Sequence, residues 1–208
     1  MTAARTHLAA ACPKLAVLMA RVGPLKARPV AYKEPYEALL SAVAHQQLHA
    51  RAAEAILGRL AAAGGGALPA PGALLDLPDA TLRACGFSAA KAAALRDLAA
   101  KAVDGTIPSR AQAMRLGDSE LIARLTAVRG VGQWTVEMLL IFTLRRPDIL
   151  PVDDFGVREG YRIIHGLDAQ PKPKALAASG AIYAPYRSTA ALYLWRAADL
   201  AKPVKPKG

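Results

Sequence analysis

The chain has 208 residues, enough for one sizeable core or two modest helical lobes and too few for several independent domains. Lysine and arginine number 27 against 16 aspartate and glutamate, a formal net charge of +11, which points to a polyanionic partner, although Lys202, Lys205 and Lys207 place part of that charge in a basic tail. Two distant cysteines, Cys12 and Cys85, exclude a disulfide framework or a four-thiolate metal site.

Alanine and leucine dominate while β-branched and aromatic residues are sparse, so the composition favours an all-α fold. Residues 1–25 carry Pro13, Lys14 and Arg21 and make a poor secretory signal. From Tyr36 to Leu60 apolar residues recur at helical spacing behind Pro35, reading as one long helix or two abutting ones. Residues 61–72 contain Gly64-Gly65-Gly66, Pro69 and Pro71 and read as a flexible connector. Short helices follow at about Pro78–Ala84, closed by Gly86, and at Ala89–Val103, with Ser88 as N-cap and Gly105 as stop. Asp118 or Ser119 caps a segment ending at Val128. Further helices are expected over Gln133–Leu144, Asp153–Ile164 and Tyr186–Ala201. Met138–Leu144 is the longest apolar run, is interrupted by Thr143 and is far too short to span a membrane, so a soluble protein of the reducing cytoplasm is expected.

Two segments carry chemistry. In Arg129-Gly130-Val131-Gly132, glycines on either side of one apolar residue allow a sharp turn with exposed amides at the start of the next helix, where unpaired N–H groups and the dipole favour an anion. Such a hairpin grips a nucleic-acid backbone without reading bases, but Gly-x-Gly alone is also an ordinary helix–helix turn. Some twenty residues on, Pro151-Val-Asp-Asp-Phe-Gly-Val-Arg158 sets two adjacent carboxylates before a helix, and an isolated Asp-Asp there is equally a cap.

Together with the Trp134-Thr135 that follows the hairpin, these segments resemble the helix-hairpin-helix (HhH-GPD) superfamily of DNA glycosylases, most closely its 3-methyladenine DNA glycosylase II (AlkA-like) branch. Three further stretches agree in order: His45-Gln46-Gln47-Leu48 within 39–53, the 82–108 stretch ending Gly105-Thr-Ile-Pro108, and Pro185-Tyr-Arg-Ser188 with Trp195. The resemblance spans roughly Pro35 to Leu200 and implies two helical subdomains flanking a DNA-binding cleft, one over residues 36–146 with the hairpin element at 121–144 and one from residues 1–35 with 147–208.

The resemblance further implies a monofunctional glycosylase of base excision repair that flips alkylated purines (3-methyladenine, 7-methylguanine type) out of duplex DNA and hydrolyses the N-glycosidic bond. Asp154, directly before Phe155, takes the place of the family's catalytic carboxylate, and Asp153 that of a structural neighbour. Trp134 and Trp195, with Met138 and Tyr36, take the places of base-pocket residues. Gln46, Gln47, Arg129, Gly130, Val131, Gly132 and Thr135 take those of DNA contacts. Gln47 stands where the best-known relative carries a leucine wedge, so an amide would fill the gap left by the flipped nucleotide. Carbonyls of Thr126, Val128 and Val131 would hold a sodium or potassium ion, and no other cofactor is required.

Bifunctional members place a lysine nucleophile two residues after the second hairpin glycine. Trp134 occupies that position, so no lyase step is expected, and Lys91 has nothing to recommend it as a substitute. The cysteine count excludes the iron–sulfur cluster of endonuclease III-type relatives. His45 and His49 stand four apart, read either as DNA-facing or as ordinary core or solvent residues, and lack a third ligand for a metal. With about 34 residues before the helical core, the chain looks like a compact variant of the larger proteins that add an N-terminal β domain. A monomer, nucleoid-associated when on DNA, is the expected form. The competing reading is a non-catalytic DNA-binding or lesion-sensing protein using the same hairpin.

Overall fold

The computed structural model describes residues 2–25 and 30–202; Lys205 and Lys207 of the basic tail lie outside the described residues. In chain order the helices are α1 (Ala3–Ala11), α2 (Pro13–Val22), α3 (Pro35–His45), α4 (Ala50–Ala63), α5 (Pro71–Asp76), α6 (Asp79–Cys85), α7 (Ala89–Val103), α8 (Arg110–Ala113), α9 (Asp118–Thr126), α10 (Gln133–Met138), α11 (Phe155–His165), α12 (Pro173–Ser179) and α13 (Arg187–Ala201). A π-helical turn, Leu139–Thr143, continues α10, and a 3₁₀ turn, Gly180–Tyr183, follows α12. No strand occurs among the described residues, and no helix there is long and apolar enough to cross a membrane. The chain divides into two compact units, Pro29–Leu144 and Met1–Arg28 with Arg145–Gly208.

Within the Pro29–Leu144 unit, α3 opens on Pro35, whose fixed φ suits the first helical position, and buries Tyr36, Leu39, Leu40, Val43 and Ala44 along one face. It packs on α7, which buries Ala92, Leu95, Leu98 and Ala99. The Ser88 hydroxyl accepts the Lys91 N–H at 3.3 Å, so this helix begins where its cap dictates. Arg96 donates to the carbonyls of Leu74, Leu75 and Leu77, satisfying the end of α5 from the side of α7.

Of the two readings of 36–60, the second holds: α3 stops at His45 and α4 starts after His49, with Gln47 at φ +57 between them. The connector expected over 61–72 is shorter, because the alanines at 61–63 extend α4 and Pro71 opens α5 at its first position. The π turn after Met138 had no sequence signature; it keeps Leu139, Leu140 and Ile141 buried, and Arg110 caps it through the Thr143 carbonyl at 2.7 Å.

In the other unit, Leu8, Cys12, Leu15, Leu18 and Met19 of α1 and α2 share a core with Tyr183, Tyr193 and Ala197. A second cluster joins Leu150, Val157, Leu176, Ala191 and Leu194. The tightest crossing is α11 on α13, made possible by Gly160, where a Cβ would lie 1.9 Å from the Leu194 carbonyl oxygen. Arg187, at the start of α13, grips Asp148 with two bonds of 2.7 and 2.8 Å, and Ser188 Oγ receives the Ile149 N–H and donates to the Arg146 carbonyl.

Candidate functional site

In the Pro29–Leu144 unit the hairpin is a closed turn between α9 and α10. The Val131 N–H donates to the Val128 carbonyl at 3.0 Å, while buried Val128 and Val131 pin the turn to the core and leave Arg129, Gly130 and Gly132 exposed. Asp97 of α7 accepts the Arg129 N–H at 2.7 Å and the Lys101 ammonium at 2.5 Å. Burial opposes ionisation of Asp97, but the Arg129 N–H and then Lys101 outweigh it and hold the carboxyl below its ordinary range.

The two glycines serve different ends. Gly130 sits at φ +77, a left-handed conformation that favours glycine. Gly132, at φ −90, needs no such freedom, and a Cβ there would meet nothing within 4 Å. Its lack of a side chain therefore leaves room for something outside the protein, beside first-turn N–H groups of α10 that have no intrahelical acceptor. Gly132→Ala should cost below about 1 kcal/mol of stability, the scale of an N-cap change, yet weaken duplex binding several-fold. Thermal melts beside anisotropy titrations at one salt concentration check this; unchanged affinity would mean that no backbone approaches Gly132.

Of the residues expected beyond the turn, Trp134 is half exposed at 50%, Met138 is partly buried, and Thr135 is buried in α10. Tyr36 is buried, donates its hydroxyl to the Pro69 carbonyl at 3.2 Å and lines a cavity with Glu34, Glu37 and Pro69, so it serves as a core residue of this unit.

The turn between α3 and α4 exposes Gln47, Leu48 and His49. Gln46, expected to reach DNA, donates a side-chain amide N–H to the Gly130 carbonyl at 2.8 Å. Lys91 of α7 donates to the carbonyls of Ala44 and Gln46 at 2.8 and 2.7 Å, and burial lowers its ammonium pKa from the ordinary value. The helix break also parts the two histidines: His45 ends α3 with Nδ1 on the Ser41 carbonyl at 2.9 Å, so that nitrogen carries the proton, while His49 is the N-cap of α4. Among the described residues no three His, Cys, Asp or Glu side chains converge as a metal site.

In the other unit the carboxylates divide clearly. Asp154, not Asp153, is the N-cap of α11: its Oδ1 accepts the Val157 N–H at 2.8 Å, and Asp153 is exposed in the preceding turn. The same oxygen accepts the indole Nε1–H of Trp195 at 2.7 Å. Trp195 thus holds the carboxylate through its N–H as well as offering a ring. Gly156 makes this possible, since a Cβ there would stand 2.7 Å from Trp195 Cδ1. Phe155 beside it is 71% exposed, a large apolar surface that sequence reasoning used only as a landmark. The one oxygen that caps the helix and takes the indole fixes the carboxylate's direction, leaving an anion oriented at the helix start.

Residues 40–184 match the model of the HhH-GPD superfamily of base excision DNA repair proteins. The chain is 43% identical, over its whole length and 93% of the relative's, to DNA-3-methyladenine glycosylase 1 of Schizosaccharomyces pombe. The solved structure of that organism's 3-methyladenine DNA glycosylase in complex with abasic DNA superposes with a TM-score of 0.84 at 42% identity, covering 98% of this chain and 100% of the other. The DNA-3-methyladenine glycosidase of Bacillus halodurans superposes with a TM-score of 0.86 at 33% identity, covering 95% and 89%. A hairpin with a left-handed glycine, a carboxylate set at a helix start by an indole, and a family match over most of the chain have one account: the chain belongs to the HhH-GPD superfamily of base excision DNA repair proteins.

Proposed function

We infer that this protein is a monofunctional DNA glycosylase that hydrolyses the N-glycosidic bond of alkylated purines in duplex DNA, with Asp154 as its essential carboxylate. The observation that carries the reading is the Asp154 Oδ1 shared by the Val157 N–H and the Trp195 indole N–H. A carboxylate held this way cannot turn to follow solvent, and a fixed anion is what a developing sugar cation needs.

Bond order is lost between C1′ and the purine nitrogen, the electron pair leaving with the base while positive charge grows on the deoxyribose. A base already alkylated at a ring nitrogen is a cationic leaving group and needs no general acid, so one carboxylate suffices. Asp154 stabilises the sugar cation and accepts a proton from the water that adds to C1′. The base must first leave the stack, which alkylation makes easier. In the unit that carries Asp154, the ring of Trp195 offers an aromatic face to a cationic base; in the hairpin unit the exposed indole of Trp134 is a second aromatic face suited to such a base, with Met138 as its softer apolar neighbour on α10.

The hairpin from Arg129 to Gly132 grips phosphates, and the exposed Gln47 supplies the wedge. Carbonyls of Thr126, Val128 and Val131 fit a monovalent cation: they lie at and beyond the C-terminal end of α9, where carbonyls lack intrahelical donors, and the one at Val128 keeps a lone pair after accepting the Val131 N–H. The protein acts as a monomer on cytoplasmic, nucleoid-associated DNA. Lys91 is committed to two carbonyls, which disfavours it as a Schiff-base nucleophile.

The test is to incubate the protein with methylated duplex DNA and follow free 3-methyladenine and 7-methylguanine by chromatography, with borohydride added to trap any imine. Base release with an intact strand and no trapped adduct is expected. A trapped adduct would overturn the monofunctional assignment, and tight binding without release would favour a lesion sensor.

A further inference from the structure

The turn that presents Gln47 is tied to the hairpin by one of its own side chains and by helix α7 of the same unit. Three bonds make the tie. Lys91 reaches from the first turn of α7 to the Ala44 and Gln46 carbonyls at the end of α3, and the Gln46 amide reaches the Gly130 carbonyl within the hairpin. Asp97, six residues beyond Lys91 on the same helix, holds the hairpin through the Arg129 N–H at 2.7 Å. One helix, α7, thereby fixes both the turn and the hairpin.

The need for such a tie is local and physical. Helix α3 ends without a glycine: its His45 carbonyl takes the Leu48 N–H at 3.2 Å while those of Ala44 and Gln46 take the Lys91 ammonium, and the chain then places Gln47 at φ +57, where a residue with a Cβ is strained. Left to itself that turn would relax to a commoner conformation and carry the Gln47 side chain elsewhere. The Lys91 ammonium caps the helix end at the negative pole of its dipole and at the same time grips the carbonyl next to Gln47.

We propose that Lys91 and Gln46 are positioning residues that lock the exposed Gln47 turn to the phosphate-binding hairpin, so that gripping the backbone and pushing the target base from the stack occur in one register. The proposal rests on the wedge and glycosylase reading above. Neither residue touches the reacting atoms. Lys91 acts through two backbone carbonyls, and Gln46 acts through the hairpin rather than through DNA.

A register device matters only while a stacked, paired base has to be displaced. The energy of unpairing is saved when the target base already lacks a partner, and the benefit of a well-placed wedge falls with it. Lys91→Met keeps the aliphatic stem and removes the donors; Gln46→Leu keeps the volume and removes the amide. Single-turnover release of 7-methylguanine should fall about ten-fold in either variant when the base faces cytosine, and less than about two-fold when it faces a tetrahydrofuran abasic analogue. That split is the distinguishing readout, since a variant that simply folds less well loses rate equally on both duplexes. Lys91→Met added to Gln47→Ala should be no slower than Gln47→Ala alone, because both act at one step. A 2-aminopurine beside the lesion reports unstacking without any chemistry, and its fluorescence rise on binding should shrink in both variants. Equal rate losses on paired and unpaired targets, or an undiminished fluorescence rise, would overturn the proposal. A full fluorescence rise with wild type but no base release would instead sink the glycosylase reading, and a smaller rise in the variants would still support the tie.

Discussion

Asp154→Asn should reduce base release by about 10²–10³-fold or more, the scale lost when one preorganised electrostatic group is removed, while leaving stability and DNA affinity essentially unchanged. The substitution is chosen because almost everything around the side chain survives it. An asparagine carbonyl oxygen can still accept the Val157 N–H and the Trp195 indole N–H, and asparagine caps helices as well as aspartate does. The charge goes, and the second carboxylate oxygen becomes an amide nitrogen. On a chain of net charge +11, removing one negative charge does nothing to weaken phosphate contacts. Single-turnover release of 7-methylguanine, anisotropy titration at fixed salt and a thermal melt of the same preparations separate the three quantities. Equal release by both proteins would move the catalytic role to another residue, and joint loss of activity and melting temperature would make Asp154 chiefly a cap.

What was legible in the sequence was whatever is decided within a few residues. Ser88 announces the start of α7 because a cap bonds three residues ahead, and the hairpin is announced by Gly130, whose left-handed φ is a property of that one position. The Asp-Asp pair was visible, but which of the two caps α11 was not, since both stand before the same helix; the choice of Asp154 is made by register and by Trp195, 41 residues away. Gln46 illustrates the remaining gap. The resemblance implies a DNA contact there, and the structure adds a bond from its amide to a carbonyl 84 residues on, a pairing that no local pattern encodes. Whether 36–60 was one helix or two could not be decided locally, because apolar periodicity runs through the break and the bonds from Lys91 that stabilise it cross from α7. Helices α1, α2 and α12 were missed as well: they are short, and they hold together by burying Leu8, Leu15 and Leu176 in clusters assembled with distant α13 residues.

Gly160→Ala should be the most damaging single methyl group that can be added to the Asp154-bearing unit. Its Cβ would fall 1.9 Å from the Leu194 carbonyl oxygen, 2.5 Å from the carbonyl carbon and 2.8 Å from Leu194 Cα. These are backbone atoms of α13, so no rotamer change relieves the clash, and α11 and α13 must part by more than about 1 Å to restore ordinary contact. Overpacking costs typically about 1–3 kcal/mol and sometimes more, and a clash against backbone belongs at or above the upper end. At about 2–4 °C per kcal/mol for a chain of this size, the melting temperature should fall by roughly 6–12 °C. Excision should drop too in the molecules that remain folded, because Asp154 heads α11 and Trp195 follows Leu194 on α13, so separating the helices pulls the indole N–H from the carboxylate. Gly58→Ala is the control: that glycine lies within α4 with open space around its Cβ position, and alanine there should stabilise by up to about 1 kcal/mol. The pair isolates close helix approach from generic loss of glycine, so a Gly160→Ala protein that melts with the wild type would show that α11 and α13 can separate without disturbing the core between them.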